Sequence, residues 1–121
     1  VRVVWVTAPD LGVARELARA LLEARLVACV NLVPGLESHY WWQGRMETAV
    51  EVLLMMKTTE GQLESLEREV LVRHPYATPE FVVLPVEAGS EEYLQWVGEQ
   101  VGDEKGRGLD GTPRGSGPQP E

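Results

Sequence analysis

The chain has 121 residues, 44% of them apolar and 25% charged, which suits one domain with a packed core of its own. Nineteen acidic against eleven basic side chains give a net charge of −8, so nucleic acid and anionic membrane surfaces are excluded as main partners, and no apolar run is long enough to span a bilayer. The single cysteine, Cys29, excludes an internal disulfide and any zinc site built from two cysteines of one chain; it suits a reducing compartment, and the expected location is cytoplasmic.

VRVVWVT is β-branched and aromatic and reads as a strand ending near Ala8, ahead of the breaker Pro9. Asp10 is placed to cap a helix over Leu11 to Arg25, whose apolar side chains Ala14, Leu17, Ala18, Leu21 and Leu22 share one face. Val27 to Val33 is apolar almost throughout, as in a strand covered on both sides, and Pro34-Gly35 breaks or bends it. LESHYWWQG continues as an extended aromatic segment that turns at Gln43-Gly44 and pairs, as a hairpin, with the long alternating strand METAVEVLLMMKT, whose Val50, Val52, Leu54 and Met56 share a face. Thr59 and Gln62 match a capping box for a second helix reaching about Arg73, where Pro75 stops it. Phe81 to Glu87 reads as a fourth strand, with Pro85 suggesting an edge or a bulge, and Ser90 caps a third helix with Glu91 and Glu92 in its first turn.

The order β-α-β-β-α-β-α is that of an α+β, ferredoxin-like split βαβ sandwich over residues 1–102, with two helices on one face of an antiparallel sheet. The other face, carrying Trp5, Tyr40, Trp42 and methionines of the third strand, is then left uncovered, and a patch of that size predicts an oligomer. Residues 103–121, with five glycines, three prolines and one large apolar residue, read as a disordered tail.

Few residues offer chemistry. No glycine loop of the nucleotide-binding patterns is present, and Ser38, His39 and Asp10 lack the context of a catalytic triad. Cys29, mid-strand, reads either as a small hydrophobe or as a soft copper ligand, with only His39 and His74 to join it. Tyr40 to Gly44 could stack on bases, but the acidic charge favours a subunit interface. Lys57 either caps the sheet through an ion pair or meets an anion in a cleft. In RHPYATPE, Pro75 puts His74 at a helix C-terminus and Pro79 keeps the chain extended into the last strand.

Together TAPD (7–10), ARALLEARLVACVNLVPG (18–35), YWWQG (40–44), LLMMKT (53–58), RHPYATPE (73–80) and LPVEAGSEEYLQWV (84–97) resemble the CutA divalent-cation-tolerance family. The resemblance implies a tight homotrimer formed through the sheets, similar to the PII signalling proteins, with clefts between subunits. It implies a non-enzymatic protein that binds copper, as Cu2+, or another divalent metal ion weakly in those clefts. It also implies a protein partner, and the alternative is a PII-like scaffold or sensor that takes a partner or small ligand without metal. Carried over residue by residue, the expected metal ligands are His74, Cys29 and Glu80, and Tyr40, Trp42, Lys57 and Tyr76 are expected to line the cleft. Val6, Arg73 and Ala77 stand where some members carry a cysteine, a second histidine and a glutamate. An acylphosphatase-like enzyme shares the layout, but its phosphate loop would have to be TAPDLG.

Overall fold

The computed structural model describes residues 1–102, and the expected tail lies outside the described residues. In chain order it contains β1 (Arg2–Ala8), α1 (Leu11–Glu23), β2 (Cys29–Trp42), β3 (Arg45–Thr58), α2 (Leu63–Arg73), β4 (Val82–Pro85) and α3 (Glu91–Gln100). The sheet order is β2-β3-β1-β4 with every neighbouring pair antiparallel. This is the expected α+β, ferredoxin-like layout.

Alternation builds the core. Val4, Val6 and Ala8 of β1 and Val52, Leu54 and Met56 of β3 point toward the helices and meet Ala14, Leu17 and Leu21 of α1 and Leu66 and Val70 of α2. Leu21, Leu54, Met56 and Leu66 are fully buried, each contributing about 1.5–3 kcal/mol of transfer free energy. Asp10 caps α1 through a 2.8 Å bond from the Val13 N–H, and Ser90 caps α3 by accepting from Tyr93 N–H. The C-terminal end of α1 is closed by Arg25, at φ 59°: its N–H reaches Leu22 O and that of Leu26 reaches Leu21 O. The Arg25 side chain and carbonyl then hold the end of α3, at Gln100 O and Gly102 N–H.

One sequence expectation is resolved and three are corrected. First, Pro34-Gly35 bends the strand without ending it: two residues on β2 oppose Val52 between the pairs Val33↔Leu53 and Leu36↔Glu51, a β-bulge with Gly35 at φ 77°. The bulge shifts parity by one, so Leu36, Ser38, Tyr40 and Trp42 lie on the same open face as Cys29, Asn31 and Val33. Second, β2 is an edge strand with exposed Asn31 and Val33, not one covered on both sides, because β3 separates it from β1. Third, Thr59 makes no side-chain cap bond; a 3-10 turn, Glu60–Gln62, precedes α2, and the Gln62 amide is drawn instead to the Gly102 carbonyl. Fourth, Val50 is 70% exposed despite its apolar parity, since β1 pairing stops at Ala8↔Val52 and the hairpin beyond it runs free of the helices.

That hairpin turns at Gln43 (φ 52°) and Gly44 (φ 79°), two successive left-handed residues as its strand twist requires. Gly44→Ala places a Cβ in this region and is expected to cost about 1 kcal/mol, read as a lower denaturation midpoint with unchanged secondary structure.

Candidate functional site

The α2–β4 corner is tied by hydrogen bonds to β1 and β3, and through Glu51 to β2. Pro75 holds His74 extended (ψ 140°) at the end of α2, so the ring turns back under the sheet and is buried. His74 Nε2–H donates to Thr7 O at 2.7 Å, and His74 Nδ1 accepts the Tyr76 N–H at 3.1 Å. A backbone N–H can be accepted only by an unprotonated ring nitrogen, so this pattern fixes the tautomer. The Tyr76 ring leans on the imidazole at 4.7 Å and its hydroxyl donates to Glu51 Oε2 at 2.7 Å; Ser38 Oγ donates to the other oxygen, Oε1, at 2.7 Å.

These contacts floor a cleft of about 690 Å³, large enough for a small-molecule ligand. Glu37, Tyr40, Trp42, Glu51, Tyr76 and Glu80 are its principal side chains, and among the described residues no lysine or arginine lines it. Burial, then the hydrogen bond to the Glu51 carboxylate and its charge, push the Tyr76 hydroxyl up to about 12, so it serves as a donor and not as a base. Glu80, at the rim, is held above the usual carboxylate range, first by desolvation against the cleft wall and second by the charge of Glu51. The folded chain therefore holds the Glu80 proton more tightly than the unfolded one, and stability rises as pH falls through the folded-state value toward the ordinary carboxylate range. Glu80→Gln is expected to stabilise the metal-free chain at neutral pH and to flatten that rise; a denaturation series across pH reads both.

Of the residues expected from the sequence, Tyr40, Trp42, Tyr76 and Glu80 meet in this cleft, and His74 stands behind Tyr76 with both nitrogens engaged. Cys29 and Lys57 do not: they pair with each other toward the far end of the open face, where Cys29 Sγ lies 3.5 Å from Tyr93 Oη and Lys57 Nζ donates to Asn31 Oδ1 at 2.6 Å. Within one chain the expected ligands His74, Cys29 and Glu80 thus form no common site, and among the described residues no group of three His, Cys, Asp or Glu side chains is arranged to hold a metal ion. Sequence reasoning missed Glu51, Ser38 and Thr7. The signal for Glu51 was its charge within the apolar run Val50 to Met56, a position that burial permits only to a hydrogen-bonded carboxylate.

Comparison with known proteins gives the family. Residues 2–100 match the family model of the CutA1 divalent ion tolerance protein. The divalent-cation tolerance protein CutA of Thermus thermophilus is 49% identical over 100 residues, covering 83% of this chain and 97% of that protein. Human protein CutA is 48% identical over 77% of this chain, which spans only 52% of the human protein's length. Among solved structures, the divalent cation tolerance protein of Thermus thermophilus superposes with a TM-score of 0.82 at 48% identity, over 84% of this chain and 98% of that one. CutA1 of Oryza sativa gives 0.77 at 43% identity, over 79% and 88% of the two chains. With a fold and nearly its whole described length in common with these proteins, the chain belongs to the CutA1 divalent ion tolerance family.

Proposed function

We propose that the protein is a non-enzymatic homotrimer that binds divalent metal ions, Cu2+ among them, weakly and reversibly at its clefts. The observation that carries this reading is the presence of Glu51 and Glu80 in one cleft that no lysine or arginine among the described residues lines. Desolvation first, and the charge of Glu51 second, raise the proton affinity of Glu80, and a cation entering beside the two carboxylates offsets that second cause. Weak binding follows from the arrangement of the donors: Glu37, His39, Glu51 and Glu80 all line the cleft, but among the described residues of one chain no three of them are arranged to hold an ion, so a second copy or water supplies the rest. His74 stabilises the cleft from behind, and Cys29 is too far along the sheet to join Glu80 of its own chain. Calorimetric titration with Cu2+ and Zn2+ tests this. Glu80→Gln is expected to weaken binding about tenfold, a loss of about 1.4 kcal/mol. Binding by the native chain should fail on acidification at a pH above the ordinary carboxylate range. Identical isotherms for the two proteins would remove Glu80 from the site.

One observation favours a second reading, a sensor or scaffold that takes an organic ligand or protein segment. The cleft is far larger than an ion, and Tyr40, Trp42 and Tyr76 give it aromatic walls. Binding that survives a chelator would favour this reading.

A further inference from the structure

The open face of the sheet is apolar in its middle, with two carboxylates on one side of that middle and an ammonium group on the other; Arg45 and Glu47 have the same parity farther out on the hairpin. Trp5, Met55, Val82 and Leu84 form the middle; Glu51 and Glu80 lie at the cleft end, and Lys57 lies at the other, opposite Val3 and Cys29. Lys57 and Glu51 are six positions apart on one strand, roughly 20 Å, so they cannot meet within one chain. Lys57 spends one of its three donors on Asn31 and has two left. An ammonium group on a face that an oligomer covers needs a counter-charge, because burying it unpaired is strongly unfavourable. We propose that Lys57 of a second copy enters the Glu51–Glu80 cleft and is its resident cation, so that each cleft is complete only when two chains contribute to it.

Such a contact is head-to-tail, since one end of the face meets the opposite end of the next, and repeated around an axis it closes a ring. It rests on the trimer of the proposed function and adds a mechanism to it. The ammonium and a divalent ion compete for the same two carboxylates, so metal affinity is held low by the neighbouring chain and not only by the shortage of donors. The contact would also give Glu51 and Glu80, which line one cleft, a cation that no lysine or arginine among the described residues of the same chain supplies there.

Zero-length carbodiimide coupling of the full-length protein, followed by denaturing gel and peptide mass analysis, tests the contact. The chain has two lysines, Lys57 and Lys105, and arginine is not coupled by this reagent, so products are few and assignable. The expected result is a covalent multimer joined from Lys57 to Glu80 or Glu51, absent in Lys57→Met. In that variant Cu2+ binding should tighten about tenfold, as the coupling of two competing cations requires. A native trimer that yields no Lys57 link to either glutamate overturns the proposal and leaves the trimer standing, as does an unchanged Cu2+ affinity in a trimeric Lys57→Met. A single-chain native mass takes down both the assembly and the contact.

Discussion

The double variant Trp5→Glu, Trp42→Glu is expected to remain folded but to sediment as a single chain at concentrations where the proposed trimer of the native protein is expected to form. Both indoles lie on the open face, Trp5 at 38% and Trp42 at 46% exposure, one in the middle of the sheet and the other at the hairpin. Neither contributes to the helix-side core, which is made by Val4, Val6, Leu54 and Met56 with α1 and α2. A tryptophan at the centre of an interface commonly carries about 2 kcal/mol or more of binding free energy. Replacing it with a carboxylate adds the cost of desolvating a charge, and in a ring the loss recurs at each contact. Sedimentation read beside far-ultraviolet circular dichroism separates dissociation from unfolding. A double variant that stays trimeric would mean that the subunits meet elsewhere.

His74→Ala is expected to lower stability by about 3 kcal/mol while leaving the Cu2+ isotherm of the folded protein essentially where it was. The ring is buried, and deleting it strands the Thr7 carbonyl and the Tyr76 N–H, each at about 1–3 kcal/mol when unsatisfied. Tyr76 also loses the ring it leans on, but its hydroxyl remains anchored to Glu51, and the two cleft carboxylates are untouched. Denaturant unfolding gives the first quantity and titration below the unfolding transition the second. Loss of Cu2+ binding at full retention of fold would instead make His74 a ligand whose hydrogen bonds break on loading.

Local signals in the sequence located most of the fold. Asp10, Ser90 and Gln43-Gly44 act through neighbours within a few residues, and each does in the structure what its chemistry predicts. The apolar alternation of β3 likewise placed its part of the core at Val52, Leu54 and Met56, because period two on a half-covered sheet leaves one solution. What failed depended on distant parts of the chain. Gln62 satisfies the capping pattern, yet its amide is taken by Gly102, forty residues on. Val50 has the right parity, but whether a strand position is covered depends on where its neighbour stops. The cleft shows the same division. Tyr40, Trp42, Tyr76 and Glu80 were legible from aromatic and motif content together with the family resemblance. The part of Glu51 was not, because its two partners come from positions 38 and 76, and only the folded chain brings them to one carboxylate. Lys57 was expected in the cleft and lies at the far end of the same face, a separation that strand length alone imposes once the register is known.

A shared acidic cleft in an assembled protein is measured most directly by native mass spectrometry with increasing Cu2+. The predicted spectrum is a trimer that takes up as many as one ion per cleft, with uptake reduced in Glu80→Gln and preserved in His74→Ala. A single-chain mass, or a trimer that takes up no ion in excess of the Glu80→Gln variant, would contradict it.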